Sequence, residues 1–264
     1  MKKKSLVMLL IVAMIGSMAM FMASCGGSDT AEESAPLKCV TEATYAPFEF
    51  TEDGSDEIVG FDVDMMNWIA EDQGLTLEWV NIEFDSLIPA LQSDQADLLC
   101  AGMNKLDGER QEAVDFGETY IQDGMVLLVN ADSEIASIDD VTADMSLTSQ
   151  NGTTGASYIL DMEANGGLKK AVVLNQWTDC FMQLKNGNVD GIIIQELVAE
   201  KYMAMAQGDY KVVGEPLADT EEYAFAVKKG NSELLEKLNA GLKNFKDSGE
   251  YDKCKAKWLV SVEE

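Results

Sequence analysis

The sequence predicts an α/β fold in which mainly parallel sheets carry helices on both faces. The main observation is that short apolar segments with strand character alternate with amphipathic helical segments, in a βαβαβ order that occurs twice. A second observation is the composition: hydrophobic residues make up 47% of the 264 residues, which suffices for packed cores in one or two domains.

The first βαβαβ unit spans residues 37–116. A strand is predicted over residues 37–41, and residues 58–61 lead into a helix with apolar side chains on one face. The alternating residues 75–80 form the second strand, and the helix after it carries a proline near its first turn. Residues 97–100 are a short apolar run that predicts a buried third strand.

The end of this unit has the features of an anion receptor. Ala101-Gly102 permits a tight turn after the third strand, and Asp107 is the predicted N-cap of a short helix that carries Arg110. Loop N–H groups and a planar guanidinium can converge on one carboxylate, to which arginine donates two parallel hydrogen bonds. The alternative is that Arg110 is a solvated surface charge.

The second unit repeats this order and is followed by C-terminal elements. Its predicted strands and helices cover residues 125–129, 145–149, 151–162, 172–174, 177–186 and 191–194. The helix that opens after residues 151–155 has free N–H groups at its start, which favour an anion. No Lys-Ser or Lys-Thr pair follows these glycines, which excludes a nucleotide loop. A strand over residues 223–227 and two helices complete the chain.

Residues 1–24 have the features of a bacterial signal peptide. Three lysines precede an apolar core, and small residues precede Cys25. A membrane-spanning helix is the alternative, but Gly16 and Ser17 interrupt the apolar run and leave it short for a bilayer. The segment 22–25 resembles a lipobox, which predicts lipidation at Cys25 and a flexible tether over residues 25–36. We therefore expect an extracytoplasmic protein anchored by lipid to the outer face of the cell membrane.

Charge and residue usage exclude several classes of function. The net charge of −28 becomes −31 once the three lysines of the signal peptide are removed, which argues against nucleic acid as a partner. The chain contains no histidine, so Ser-His-Asp and Cys-His catalysis and the usual zinc sites are excluded. We expect no metal and no cofactor. Four further cysteines, which we expect to be buried free thiols rather than disulfides, are Cys39, Cys100, Cys180 and Cys254.

Six ordered blocks of sequence carry a resemblance to a known family. They are residues 42–50, 58–64, 84–92, 114–116, 151–155 and 188–191. Together they resemble the polar amino-acid family of extracellular solute-binding proteins, the receptor subunits of ABC importers, over roughly residues 37–260. The resemblance implies two α/β lobes joined by two crossover segments, with a ligand held in the cleft. Lobe 1 is then formed by residues 37–123 and 219–264, and lobe 2 by residues 124–218.

The resemblance also implies a binding site for an amino acid or a close derivative. Arg110 is similar to the family's carboxylate-binding arginine, assisted by the backbone of Asn104 and by Thr153 and Thr154. The other implied site residues are Tyr45 and Phe84 as aromatic walls, Gly102 as a carbonyl for the ammonium, Glu42 as a side-chain-reading acid, and Gln195. We expect a monomer that delivers its ligand to a membrane permease and its ATPase.

Three departures from the family pattern affect this site. Ala101 replaces a hydroxyl residue, and one extra residue lies between Asn104 and Arg110. Gln195 stands where the family usually has an aspartate that pairs with the ligand's ammonium. Since a neutral amide cannot compensate a buried charge, either Glu196 or Glu42 takes over this role, or the ligand is not a standard α-amino acid.

Two other functions are compatible with the same fold. An enzyme similar to cyclohexadienyl dehydratases would use cleft acids such as Glu42 and Glu196 for proton transfer. An extracellular sensor that presents its ligand to a membrane kinase would use the same site. We expect a binding protein rather than an enzyme, because no dedicated acid–base pair is evident and the lipobox fits a tethered receptor.

Overall fold

The computed structural model describes residues 35–52, 54–218 and 220–259. The predicted signal peptide, the lipidation site Cys25 and all but the last two residues of the predicted tether lie outside this part of the chain. In the part described, no helix is both long enough and apolar enough to span a bilayer.

Strands and helices alternate through most of the described chain. The strands are β1 (Leu37–Thr41), β2 (Thr44–Tyr45), β3 (Glu49–Thr51), β4 (Ile58–Val59), β5 (Leu77–Asn81), β6 (Leu98–Leu99), β7 (Val114–Phe116), β8 (Ile121–Asp123), β9 (Met125–Asn130), β10 (Ser146–Gln150), β11 (Lys170–Leu174), β12 (Gly191–Gln195), β13 (Tyr210–Val213), β14 (Glu221–Tyr223) and β15 (Ala226–Lys228). The α-helices are α1 (Phe61–Asp72), α2 (Leu87–Gln92), α3 (Gly108–Ala113), α4 (Thr154–Ala164), α5 (Trp177–Lys185), α6 (Glu196–Ala206), α7 (Ser232–Asp247) and α8 (Glu250–Trp258).

The first lobe is built on a sheet with the strand order β5-β1-β6-β15-β7. β1 pairs in parallel with β5 and β6, as the βαβαβ order predicts. β15 returns from the C-terminal part of the chain and pairs antiparallel with β6 and β7. Helices α1, α7 and α8 pack together, and Met65, Ile69, Leu238 and Phe245 are buried in one core cluster. The C-terminal helices therefore pack against helix α1 of the first βαβαβ unit.

The second lobe repeats this arrangement with the strand order β11-β10-β12-β9-β13. β10 pairs in parallel with β11 and β12, and β9 pairs antiparallel with β12 and β13. Each sheet thus has four strands that run in one direction and one strand that runs antiparallel to them, β15 in the first sheet and β9 in the second. Parallel pairing holds within the βαβαβ segments, and the single antiparallel strand is the one that enters each sheet from a crossover strand.

Two crossover strands join the lobes. β8 and β14 form an antiparallel pair in which Asp123 lies opposite Glu221 and Ile121 lies opposite Tyr223. The predicted single strand over residues 223–227 is wrong in this respect, because the chain leaves the crossover at Tyr223 and joins the sheet only at Ala226. The two-lobed α/β architecture itself is confirmed.

The four cysteines of the folded part are buried, and all are free thiols, as predicted. Cys39 and Cys100 lie in the core of the first lobe, where burial raises the pKa of both thiols well above the usual value. Burial also raises the pKa of Cys180 and of Cys254, each to about 12. Thiols of this kind are neutral and unreactive at physiological pH and act as small apolar side chains.

Candidate functional site

A cavity lies between the two lobes. Five lining residues come from the first lobe: Tyr45, Phe84, Gly102, Asn104 and Arg110. The others are Gln150, Thr153, Thr154, Trp177 and Gln195 from the second lobe and Glu221 from β14. Eight of the nine residues selected from the sequence therefore line this cavity, and Glu42 is the one that does not.

Arg110 reaches the cavity from the short helix α3. The predicted N-cap is confirmed, because the Asp107 carboxylate accepts hydrogen bonds from the backbone N–H groups of Glu109 at 2.9 Å and Arg110 at 3.2 Å. Asp107 also lies 3.6 Å from Nε of Arg110. The extra residue between Asn104 and Arg110 therefore does not move the arginine out of the cavity.

The guanidinium of Arg110 is held across the cleft by backbone carbonyls. Nη1 donates to the carbonyl of Asn104 at 3.1 Å, and Nη2 donates to the carbonyl of Gly152 in the second lobe at 2.7 Å. Burial lowers the pKa of Arg110, and the Asp107 carboxylate opposes this effect, so the group remains a cation. Each Nη atom carries a second N–H group that these two bonds do not use.

Several further hydrogen bonds close the lobes on each other. The Tyr45 hydroxyl donates to Oε1 of Gln195 at 2.8 Å, and the backbone N–H of Trp177 donates to Oγ1 of Thr44 at 3.1 Å. Nε2 of Gln150 donates to the Glu42 carboxylate at 2.7 Å. The cavity consequently lies between lobes that are in contact, and charges on its buried lining side chains are poorly solvated.

Aromatic rings form two walls of this cavity. The Tyr45 ring lies 5.8 Å from the Trp177 ring with an interplanar angle of 28°. The Phe84 ring lies under the Arg110 guanidinium, with Cζ of the arginine 5.6 Å from the ring centroid. Gly102 allows Tyr45 to approach closely, because a Cβ atom at this position would lie 2.6 Å from Cε1 of the tyrosine.

The start of helix α4 faces the cavity with two threonines. Thr153 is the N-cap, and its hydroxyl accepts from the backbone N–H of Ala156 at 3.1 Å and donates to the carbonyl of Gln150 at 2.7 Å. The Thr154 hydroxyl donates to Oε1 of Glu221. Both hydroxyl groups are therefore engaged within the protein, and the helix start itself supplies the positive potential that favours an anion.

The acids expected to compensate for Gln195 lie away from the cavity. Glu42 is buried, accepts hydrogen bonds from Gln150 and from the Thr44 hydroxyl, and lies behind Gln150. Glu196 is exposed at the start of helix α6. Glu221 is instead the acid at Gln195: its Oε2 accepts from Nε2 of the glutamine at 3.1 Å.

Sequence reasoning missed three lining residues, namely Gln150, Trp177 and Glu221. A usable signal existed for two of them. Gln150 ends strand β10, and Trp177 opens helix α5 shortly after strand β11 ends. Ligands of open α/β sheets bind beyond the carboxyl ends of the parallel strands, so both positions were candidates. No comparable rule applies to Glu221, which lies on a crossover strand.

Comparison with known proteins agrees with this architecture. The family model of the bacterial extracellular solute-binding proteins, family 3, matches residues 37–261. The arginine-binding extracellular protein ArtP of Bacillus subtilis is 33% identical over 256 residues, which cover 96% of this chain and 97% of ArtP.

Solved structures of related proteins have the same fold. An ancestral arginine-binding protein bound to arginine is 35% identical and superposes with a TM-score of 0.80, covering 86% of this chain and 100% of its own. AncCDT-1 is an ancestral amino acid-binding protein described as a precursor of cyclohexadienyl dehydratase. It is 30% identical with a TM-score of 0.77, and the match covers 85% of this chain and 96% of AncCDT-1. On these grounds the chain belongs to family 3 of the bacterial extracellular solute-binding proteins.

Proposed function

We propose that this protein captures an amino acid or a close derivative in the interlobe cavity and delivers it to the permease and ATPase of an ABC importer. The observation that carries the proposal is the environment of Arg110. Its guanidinium lies in the cavity between the lobes beside the start of helix α4, and its unused N–H groups match a ligand carboxylate. The relationship to arginine-binding proteins supports an amino acid as the ligand.

The other site residues have roles that follow from their positions. Tyr45, Phe84 and Trp177 would cover the ligand's carbon atoms. The helix start at Thr153 and Thr154 would favour its carboxylate through free backbone N–H groups, together with Arg110, because both threonine hydroxyl groups are already engaged. The site residues lie on both lobes, and the crossover pair β8 and β14 lies between the sheets. This supports a division into lobe 1 (residues 37–123 and 219–264) and lobe 2 (residues 124–218).

The test is calorimetric titration of the purified full-length protein in mild detergent with the standard amino acids. We expect binding of one ligand per chain, and mass spectrometry of the freshly purified protein to identify a co-purified amino acid. The absence of heat and of thermal stabilisation with every amino acid would contradict the proposal.

An enzyme of the dehydratase type receives less support from the site. The acids considered for proton transfer, Glu42 and Glu196, do not line the cavity. The relationship to AncCDT-1 is to a protein described as amino acid-binding. A bound amino acid that is recovered unchanged after long incubation would agree with a binding role.

The lipid anchor at Cys25 is the second part of the proposal, and its support is the lipobox-like sequence at residues 22–25. We expect Cys25→Ala to abolish lipidation, so that the protein is released from the membrane or keeps its signal peptide. Metabolic labelling with a fatty acid and membrane fractionation measure this outcome. A fully processed Cys25→Ala protein that stays on the membrane would contradict the anchor.

A further inference from the structure

The proposed function requires a negative charge in the cavity to pair with the ligand's ammonium group. An amino acid carries an ammonium group as well as a carboxylate, and both lose water in a closed cavity. An unpaired buried charge is strongly unfavourable. Position 195 holds a neutral glutamine, which is 4% exposed. Another group must therefore supply the negative charge, if the ligand is an amino acid.

Glu221 is the one carboxylate that lines the cavity among the described residues. It is 5% exposed, and no lysine or arginine within the described ranges lies within ion-pair distance of it. Oε2 accepts from Nε2 of Gln195 at 3.1 Å, and Oε1 accepts from the Thr154 hydroxyl. Both of these donors are neutral. Burial raises the pKa of Glu221, and the two hydrogen bonds and the charge of Arg110 oppose that rise.

A chain of hydrogen bonds across the cleft orients this acid. The Tyr45 hydroxyl donates to Oε1 of Gln195, which fixes the amide so that its Nε2 group points to Glu221. Tyr45 lies in the first lobe, Gln195 ends strand β12 of the second, and Glu221 lies on the crossover strand β14. Closure of the lobes thus completes the environment of the carboxylate.

We propose that Glu221 pairs with the ligand's ammonium group and that Gln195 is a positioning residue for it. This inference rests on the proposed function. In this chain the carboxylate stands at position 221 on the crossover strand, in contact with the neutral amide of Gln195. Arg110 is the one cation and Glu221 the one anion among the described lining residues, and together they match a zwitterion. The ligand class is therefore a carboxylic acid with a free α-ammonium group.

The experiment measures affinity for the best-binding amino acid and for its 2-oxo analogue, which lacks the ammonium group. The variants are Glu221→Gln, the charge-relocating double variant Gln195→Glu/Glu221→Gln, and Glu222→Gln as the matched control. Glu222 lies on the same strand but pairs with Lys105 at 3.2 Å and does not line the cavity. Thermal denaturation of each variant records whether it folds.

We expect Glu221→Gln to weaken amino acid binding by about 100-fold or more, since a buried ionic partner is lost. Glu222→Gln should stay within about threefold of the wild type, as for a partly exposed ion pair. The double variant should bind the amino acid at least about tenfold more tightly than Glu221→Gln does. The affinity of Glu221→Gln for the 2-oxo acid should be at least as high as that of the wild type.

Amino acid binding by Glu221→Gln within about threefold of the wild type would overturn this proposal alone. The same conclusion follows if Glu221→Gln loses affinity equally for the amino acid and its 2-oxo analogue, or if the folded double variant regains nothing. A wild-type protein that binds no amino acid would overturn both this proposal and the proposed function.

Discussion

The two charged ends of the cavity are built in different ways. Arg110 lies on a short helix whose start is fixed locally by the Asp107 cap, and its guanidinium bonds to two backbone carbonyls. Glu221 lies on a crossover strand, and its partners Gln195 and Thr154 come from distant parts of the chain. One end is thus determined by neighbouring residues, and the other by how the lobes meet.

This difference affects how each of the two charges could be replaced. A cation on a capped helix can be replaced only by another side chain at the same position. At the other end, positions 195 and 221 are in contact, so a carboxylate on either strand can reach the same space. The structure therefore allows the charge to move between two strands without a change in the charge balance of the cavity.

The largest expected effect is at the arginine end. Arg110→Ala should weaken amino acid binding by about 2–5 kcal/mol, because the ligand carboxylate would be buried without a cation. Calorimetric titration measures the loss. Lys105→Ala is the matched control. This lysine lies in the loop just before helix α3, pairs with Glu222 and does not line the cavity, so its replacement should change affinity by less than about 1 kcal/mol.

Near-wild-type affinity of Arg110→Ala would show that the carboxylate binds elsewhere and that the comparison between the two ends is wrong. An equal loss in the Lys105→Ala variant would instead point to the general electrostatic potential of this acidic chain. Denaturation curves of both variants establish that the fold is retained.

The second effect is on the stability of the fold, and it depends on pH. Asp123 lies opposite Glu221 in the crossover pair, and burial raises its pKa to about 7, against the opposing effect of hydrogen bonds from the N–H groups of Gly124 and Leu197. Because the folded-state pKa is raised, the stability that this carboxyl contributes is complete below the unfolded pKa of about 4 and is lost as the pH rises through about 7. Arg110 stays charged throughout this range.

We therefore expect Asp123→Asn to be about 1–3 kcal/mol more stable than the wild type at pH 8, and to show little difference at about pH 4. Denaturant titration at the two pH values measures the free energy of unfolding. Asp115→Asn is the opposite control, because hydrogen bonds from Gly230 and Lys229 lower the pKa of this half-buried carboxyl. Its replacement should give no stabilisation at pH 8, and equal behaviour of the two variants would contradict the assignment to Asp123.

The same contrast between local and distant determinants governs what the sequence predicted. The βαβαβ order and the Asp107 cap follow from hydrophobic periodicity and residues a few positions apart, and both are present. Helix α6 was not predicted, because only Val198 and Ala199 along it are buried and no clear apolar face marks it. The break between β14 and β15 depends on distant strands: β14 pairs with β8 through Ile121, and β15 pairs with β6 through Leu99.

The site shows this limit in its acids. Glu42 and Glu196 were considered as replacements for the missing charge because they lie at or beside positions that the family pattern marks. The three-dimensional arrangement places Glu42 behind Gln150 and Glu196 at the surface, and brings Glu221 to the amide of Gln195 instead. That placement depends on the register of the crossover pair, for which single-sequence periodicity carries no information.

The smallest expected effect concerns Gln195→Glu, which adds a carboxylate while Glu221 remains. Without Glu221, such a change would tighten the binding of an ammonium group by about 1–3 kcal/mol. In this structure the new carboxylate would replace the Nε2 donor of Gln195, which lies 3.1 Å from Oε2 of Glu221. Two carboxylates at that distance do not both ionise, so one of them should hold a proton near neutral pH.

The pair in the Gln195→Glu variant therefore keeps about the charge of Glu221 alone, and we expect its affinity for an amino acid to change by less than about 1 kcal/mol. Binding of the ammonium should instead release a proton, because the cation favours the ionised form of the second acid. Calorimetry in two buffers of different ionisation enthalpy measures this release, and the wild type serves as the control. A gain of about 2 kcal/mol without proton release would mean that Glu221 carries no charge in the wild-type cavity. Only the new glutamate at position 195 would then supply a negative charge.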